Sequence, residues 1–352
     1  MKTKNKKETT IGIDLGDKKH DAYALSNEGE LISRHEVTNT KLGLKELSDR
    51  YPGAVMVMEA GTHSPWVSRY LSELGHEVIV ANPRKLRAIY ESDNKTDERD
   101  AEMLARLGRF DRKLLYSVSH VSERHQRGLS LLRSRDVLVE SRTKLINHAR
   151  GTLKSLGVRL PKTIRAEAFA TKVSAFLEAT DRTLMEPILK GIQSMTDQIK
   201  ALEKRLGELA ESEFPVAKRL EQELPGVGPL TSLAFVLIIE RPERFKKVRD
   251  IGPFLGLVPK RDKSGSIDKP MRISKAGNQL MRRLLVNCAQ YNLGPFGPDT
   301  ALRRAGERIC KDRGKVAKRK AVIAVARKLS VVMLKLWQNP EAHFEAFPEK
   351  VA

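Results

Sequence analysis

The first part of the chain alternates short apolar runs with amphipathic segments. Runs rich in β-branched residues and bounded by Gly, Pro, Asn or Asp predict strands at residues 11–15, 22–25, 31–37, 54–58 and 78–80. Apolar residues at helical spacing predict helices at 42–47 and 66–74, with Gly75 as the C-terminal cap of the second. This alternation predicts an α/β domain with a mixed sheet, which we place at residues 11–115.

The next hundred residues, 116–215, show no strand pattern and instead repeat leucine and isoleucine at helical spacing. One run lies before Gly157 and Pro161, and a second, with heptad-like steps of three and four, covers residues 188–209. Two long helices are predicted, forming a coiled-coil-like antiparallel arm or an oligomerisation element. Two ordinary bundle helices are the alternative.

The last large segment, 216–340, is predicted to be mainly helical. Its glycine turn at 224–231 enters an apolar helix and resembles half of a helix-hairpin-helix, whose backbone amides bind phosphate. A short hairpin is predicted within 254–273, followed by a helix with Ser274 as its N-cap. Residues 1–10 and 341–352 are interpreted as tails, the first of them basic.

Charge narrows the class of partner. The 352 residues hold 65 Lys and Arg against 44 Asp and Glu, a net charge of +21, which indicates a polyanion and most simply nucleic acid. Only 5% of residues are aromatic, which argues against base stacking as the main binding mode. Two cysteines without a CxxC motif disfavour a disulfide scaffold or a cysteine zinc site. With no long apolar run and no signal peptide, we expect a cytoplasmic protein without a membrane anchor.

Four carboxylates are the most informative chemical feature. Asp14 and Glu59 lie at the ends of predicted strands, while Asp97 and Asp100 share one face of a predicted helix. Carboxylates gathered at one sheet edge repel one another and suit Mg²⁺, one or two ions of which could promote phosphodiester cleavage. Each residue alone could be an ordinary solvated turn residue. The Gly12-x-Asp14-x-Gly16 pattern also occurs in sugar kinases, but no second glycine-rich phosphate loop follows.

The order Asp14, Glu59, Asp97, Asp100 resembles the DEDD signature of the insertion-sequence transposases of the "IS one-ten" family. Residues 94–101 resemble the third motif of that family, and residues 59–62 resemble its second. The C-terminal half is similar in order as well, and the resemblance covers most of the chain. The matching C-terminal segments are 225–231, 254–259, 264–266, 273–278 and 282–285.

The resemblance implies a fold, an activity and partners. The N-terminal domain would be RuvC-like with a ribonuclease H-like core, and the domain at 216–340 would be the transposase domain. The family implies a site-specific recombinase that acts on donor and target DNA, guided by a bridge RNA encoded by the element. It also implies a tetramer built as a dimer of dimers, with composite active sites in which a serine forms a covalent phosphoserine intermediate.

The serine that matches is Ser264, and Ser266 and Ser274 are neighbouring competitors. Asp262 and Lys263 stand where some relatives have an aromatic residue, which leaves the local geometry open. Basic residues around the serine are predicted to contact phosphates near the scissile bond: Lys260, Arg261, Lys263, Arg272, Lys275, Arg282 and Arg283. A later basic stretch is predicted to carry salt-dependent affinity through Arg303, Arg304, Lys318, Arg319 and Lys320.

Two other functions remain open from the sequence. A Mg²⁺-dependent, structure-specific nuclease would use the carboxylates with water and leave Ser264 without a role. A nucleic-acid-binding protein with an inactive catalytic domain would use only the basic residues. Retention of all four carboxylates and the serine argues against the second of these.

Overall fold

The computed structural model describes residues 9–86, 97–264, 267–310 and 314–345, with the backbone alone for 261–264 and 267–270. The chain divides into two compact units, Met1–Val121 and Ser122–Ala352. No helix in the part of the chain that the structure describes is long and apolar enough to cross a membrane.

The first unit contains a five-stranded sheet and the helices that cover it. Its strands are β1 (Thr10–Leu15), β2 (Lys19–Leu25), β3 (Leu31–Thr38), β4 (Val55–Glu59) and β5 (Glu77–Ala81). Its helices are α1 (Lys41–Arg50), α2 (Ser64–Glu73), α3 (Pro83–Leu86) and α4 (Asp97–Phe110). The strand order is β3-β2-β1-β4-β5. Strands β1, β4 and β5 are parallel, whereas β2 is antiparallel to β1 and β3, which confirms the predicted mixed sheet.

The sheet is covered on both faces because its side chains alternate. Ile11, Ile13, Met56 and Met58 belong to a core that also includes residues of α1 and α2. On the opposite face, Val55 and Val57 pack in a second core with Leu104 and Leu107 of α4. Further along this face, Ala101 and Ala105 of α4 pack against Tyr23 and Leu25 of β2. The central strands β1 and β4 are therefore buried on both faces, whereas the edge strand β3 is largely exposed.

The second unit is mainly helical. Its helices are α5 (Glu123–Ser155), α6 (Phe169–Val173), α7 (Ala179–Glu213), α8 (Pro215–Glu223), α9 (Pro229–Ile239), α10 (Ile251–Phe254), α11 (Gln279–Leu293), α12 (Ala301–Cys310) and α13 (Gly314–Gln338). Its two strands, β6 (Pro259–Ser264) and β7 (Ile267–Ile273), form the predicted antiparallel hairpin. Together with the mixed sheet, this confirms the predicted class of α/β plus mostly α.

The two long helices expected in the middle of the chain are α5 and α7, and they pack against each other. Arg135 of α5 pairs with Glu203 of α7, and Arg142 contacts Thr196, so the two helices run antiparallel. Near their connection, Ile146 and Ile192 are buried in a common core. The boundary that we placed at 215/216 lies within one compact unit, and a separate arm domain stays a prediction.

The serine cap predicted for α11 is wrong. The N-cap is Asn278, whose side chain accepts a hydrogen bond from the Met281 amide at 3.0 Å. Ser274 directly follows β7, where its amide donates to the Val258 carbonyl at 2.8 Å. Its Oγ is buried without a hydrogen-bond partner among the described residues. Serine and asparagine both cap helices. The loop after β7 extends to residue 278, so the helix begins after Asn278 and Ser274 is too early to cap it.

Candidate active site at the carboxyl ends of the strands

Asp14 and Glu59 lie side by side at one edge of the N-terminal sheet. Strands β1 and β4 are parallel, and their last paired residues are Ile13 and Met58, directly before the two carboxylates. Ile13 and Met58 face the core beneath α1 and α2. Because successive side chains alternate, Asp14 and Glu59 belong to the opposite face, which α4 covers.

Helix α4 rests directly on this face because a glycine allows it. A Cβ at Gly12 would lie 2.5 Å from the Ala105 nitrogen and closer still to the Ala101 oxygen. A Cβ at Gly108 would meet Val57 at 2.5 Å and Thr10 at 3.4 Å. The later part of α4 thus lies over the start of β1, and its earlier part lies over Gly12. The helix runs antiparallel to β1, which directs its first turn toward Asp14.

That first turn contains Asp97, Glu98 and Asp100. Asp97 is exposed, whereas Asp14, Glu59 and Asp100 are half-buried. The structure therefore places the strand ends that carry Asp14 and Glu59, and the helix turn that carries Asp97 and Asp100, on the same side of the sheet at this edge. Negative charge in the first turn is also favourable because the helix N-terminus carries partial positive charge.

The donor set suits a hard divalent cation because it consists of carboxylate oxygens. Among the described residues, no three Asp, Glu, His or Cys side chains are close enough to hold one ion. Convergence on an ion would therefore need side-chain movement, and a bound cation would offset the mutual repulsion of the carboxylates.

Asp21 is a further carboxylate on this face, and the sequence reasoning missed it. Its Cα pairs with that of Asp14 across β1 and β2, and it shares the face of Tyr23, which contacts α4. Direct cross-strand partners have Cβ atoms about 5 Å apart. A tight hairpin between the first two strands would have paired Asp14 with Asp21, seven residues later, so the sequence contained a usable signal for Asp21. We started the second strand at residue 22, whereas β2 begins at Lys19.

The segment after Glu59 is fixed by hydrogen bonds. Ser64 Oγ accepts from the Gly61 amide at 2.9 Å and lies 2.8 Å from His120 Nε2. Burial lowers the pKa of His120, and the charge of Arg69 lowers it further. A neutral imidazole is therefore favoured at this contact.

Ser264 lies in the other compact unit, at the end of β6, paired with Ile267 of β7. Residues 265 and 266, which include the competitor Ser266, lie outside the described part of the chain, as do the side chains of Ser264, Arg261 and Lys263.

Four of the predicted phosphate-binding arginines already have protein partners. Arg282 donates to the Leu255 carbonyl at 3.2 Å, and Arg283 pairs with Asp136 and, at 3.0 Å, with Glu140. The remaining two are Arg303, which donates to the Gly294 and Gly297 carbonyls, and Arg304, which pairs with Asp299. Nucleic acid could engage these groups only in competition with those partners.

Other basic residues of the prediction are better placed for phosphate. Within the described ranges they are exposed and make no ion pair: Lys260, Arg272, Lys275, Lys318, Arg319 and Lys320. Three of them lie in α13, a helix without an acidic residue. Contact with phosphate stays a prediction for all of these residues.

Comparison with known proteins identifies the class. A DEDD family model described as a transposase matches residues 11–157, and a second, described as "Transposase IS116/IS110/IS902 family", matches residues 218–303. The transposase for insertion sequence element IS1328 of Yersinia enterocolitica is 29% identical over 285 residues, which cover 80% of this chain and 83% of that protein. The transposase for element IS1111A of Coxiella burnetii is 26% identical over 285 residues, 80% of this chain and 76% of that protein.

These matches confirm the resemblance drawn from the carboxylates and from the ordered C-terminal motifs. The first matched segment includes Asp14, Glu59, Asp97 and Asp100, and the second includes Ser264. The chain belongs to the IS116/IS110/IS902 family of insertion-sequence transposases, enzymes that cleave DNA and transfer its strands.

Proposed function

We propose that this transposase cuts and rejoins donor and target DNA through a covalent bond to Ser264, with divalent cations at its carboxylate site. The observation that carries the proposal is the grouping of Asp14, Glu59 and the first turn of α4 on one face of one strand edge. Strand transfer requires a phosphodiester to be activated, and the carboxylate oxygens at this edge are suitable ligands for a cation that could activate it.

The cation residues would be Asp14, Glu59, Asp97 and Asp100, and Mg²⁺ is the ion we assign to them. When bound, the ion would neutralise negative charge that develops on the scissile phosphate. The protein would contribute the fixed strand ends and the helix turn that present these oxygens. The DEDD class of the matched family supports the use of a divalent cation.

Ser264 would supply the nucleophile. Its Oγ forms a bond to phosphorus, the bond from phosphorus to a deoxyribose oxygen breaks, and the serine proton passes by way of a base to that leaving oxygen. Attack by a second deoxyribose hydroxyl reverses the exchange, so no external energy source is needed. Ser264 ends β6 at the turn of the hairpin, and the exposed Lys260 and Arg272 lie toward the other end of the same two strands, where they could bind backbone phosphates farther along the DNA.

Guidance by an element-encoded bridge RNA and assembly as a tetramer belong to the same proposal. The net charge of +21 supports binding to nucleic acid, whether DNA or RNA. The antiparallel pair α5 and α7 offers long exposed surfaces for subunit contact. A protein that acts on chromosomal DNA in this way would work in the bacterial or archaeal cytoplasm, at the nucleoid.

The test is a search for the covalent adduct. The full-length protein is purified with nucleic acid from cells that carry the whole element, then incubated with donor and target DNA and Mg²⁺. Products are separated on a denaturing gel with and without protease treatment. Ser264→Ala removes the proposed nucleophile, and Ser274→Ala is the matched control, because the Ser274 hydroxyl is buried and ten residues away.

We expect a protease-sensitive adduct with wild type and with Ser274→Ala, none with Ser264→Ala, and none after removal of the co-purified RNA. Free cleaved ends that persist in Ser264→Ala would instead identify a hydrolytic nuclease. An adduct that survives RNA removal would exclude the guide. DNA binding without any cleavage would support a non-catalytic protein.

A further inference from the structure

Three loops meet at the carboxyl edge of the N-terminal sheet, and a polar cluster joins them. Asn39, between β3 and α1, donates its Nδ2 hydrogens to the carbonyls of Gly16 at 3.2 Å and Asp17 at 2.9 Å. Its own amide donates to the Lys18 carbonyl at 3.0 Å. Asn39 thereby holds the turn that follows Asp14.

His63, between β4 and α2, extends this cluster to the segment that follows Glu59. Its Nε2 lies 2.9 Å from Asp17 Oδ1, and its Nδ1 lies 3.4 Å from Asn39 Nδ2. With the hydrogen on Nε2, the ring donates to Asp17, and its Nδ1 accepts a shared hydrogen from Asn39 Nδ2, whose two hydrogens serve three acceptors. The His63 side chain is 27% exposed and that of Asp17 is 96% exposed, so His63 is the better-fixed partner.

The contact between His63 and Asp17 matters because of where it lies, just after the strand ends that carry Asp14 and Glu59. Backbone pairing between β1 and β4 ends at Ile13 and Met58. Asp14 and Glu59 therefore lie just beyond the last paired residues, and adjacent carboxylates repel each other. Asp17 lies three residues after Asp14, and His63 lies four residues after Glu59. Their contact therefore links the segments that follow β1 and β4, where the two strands no longer pair.

We propose that His63 is a positioning residue, which holds the ends of β1 and β4 at the separation where Asp14 and Glu59 can share one cation. The contact works through Asp17 and Asn39, on loops that do not themselves carry the four carboxylates. This inference rests on the cation site of the proposed function. Without the contact the two strand ends can separate, which weakens the cation site and leaves the buried core of the sheet intact.

The experiment measures cation binding directly, without DNA. Full-length protein is titrated with Mn²⁺, and the dissociation constant is followed by electron paramagnetic resonance of free Mn²⁺. His63→Leu removes both contacts, whereas His63→Gln keeps an amide that can donate to Asp17. His35→Leu is the matched control, because His35 also hydrogen-bonds within this unit, to Ser33 and Tyr51, but belongs to β3.

We expect His63→Leu to weaken Mn²⁺ binding at least tenfold, the size typical of residues that support metal ligands. His63→Gln recovers most of the affinity, and His35→Leu binds as wild type. The melting temperature of His63→Gln should match that of wild type, which separates positioning from general loss of stability. Wild-type affinity in His63→Leu would overturn the inference.

Two further variants keep the test decisive. If His63→Leu does not fold, Asp17→Ala and Asp17→Asn are compared, because both remove one charge and only Asn keeps an acceptor for His63. Weaker binding in Ala than in Asn supports the inference, and equal binding overturns it. Asp14→Asn reports on the site itself: if it binds Mn²⁺ like wild type, the proposed cation site fails and this inference with it.

Discussion

At the scale of single residues, Gly12 decides how closely α4 can approach the strand that carries Asp14. An added Cβ would meet backbone atoms of Ala101 and Ala105, which cannot move aside as a side-chain tip can. We expect Gly12→Ala to lower the free energy of unfolding by about 1–3 kcal/mol, the usual cost of overpacking. Urea unfolding measures it. Gly61→Ala is the control, since nothing lies within 4 Å of a Cβ there, and equal stability of the two variants would contradict the interpretation.

His20 predicts a pH dependence. Its side chain is fully buried with no hydrogen bond to either ring nitrogen among the described residues. Burial lowers the pKa of His20 below its ordinary 6.5, and His63 lowers it further. Below pH 6.5 the unfolded chain therefore takes up a proton that the folded chain resists, so stability falls as the pH falls.

The check compares urea midpoints at pH 7.5 and pH 5 for wild type and His20→Phe. We expect a smaller loss on acidification in His20→Phe, because the ring that resists protonation is gone. The loss should not vanish, since burial also lowers the pKa of His76 and of His120. An identical loss in both proteins would rule out His20 as a contributor.

At the scale of elements, the pair α5 and α7 contains a buried arginine in a seam whose other buried residues are mostly apolar. Arg142 is 5% exposed, contacts Thr196 and Glu167 at 3.3 Å each, and leaves its Nε without a partner among the described residues. Buried charges with incomplete pairing add little stability. Because Glu167 is itself half-exposed, it would be hydrated if the arginine were removed.

We therefore expect Arg142→Met to leave the free energy of unfolding unchanged or to raise it, by up to about 4 kcal/mol. Ile192→Ala in the same seam should lower it by about 2–5 kcal/mol, because it opens a cavity beside a fully buried side chain. Thermal unfolding of the full chain distinguishes the two. A loss of stability in Arg142→Met as large as that in Ile192→Ala would show that the arginine contacts hold the pair together.

At the scale of the whole molecule, the net charge of +21 predicts strong, salt-dependent binding of nucleic acid. The triple change of Lys318, Arg319 and Lys320 to Gln should reduce the slope of log K against log salt by about 0.9 for each phosphate that the protein no longer neutralises, or about 2.7 for three phosphates. A filter-binding titration over several salt concentrations measures that slope.

The control for that experiment carries the same change of net charge. Lys45, Lys190 and Lys204 are each paired with a carboxylate four residues away, and they are changed to Gln together. We expect the slope to change much less in this control. Equal slopes in the two triple variants would mean that the net charge of the protein governs binding and that the basic residues of α13 have no special role.

Much of the fold followed from local pattern. The five strands and the two long helices were predicted because their apolar residues recur at strand or helix spacing. The hairpin at β6 and β7 was predicted from the turn residues within 254–273. The start of β2 was missed because Lys19, His20 and Asp21 are polar, although each pairs with β3. The cap at Asn278 was missed because two cap-forming residues lay in the same loop.

The sequence by itself determined the class of this protein, since ordered motifs in two separate segments and a large positive charge are visible in the amino acids alone. It also predicted the four carboxylates, because the strand ends that carry Asp14 and Glu59 and the helix start that carries Asp97 and Asp100 are local features. Only the tertiary structure decided which residues share the site with them. The position of Asp21 depends on the register of the hairpin formed by β1 and β2. The contacts of His63 depend on three loops that are distant in sequence and meet at the sheet edge. The ion pairs of Arg283 with Asp136 and Glu140 could not be predicted from the sequence either, because contacts between residues more than a hundred positions apart leave no local pattern.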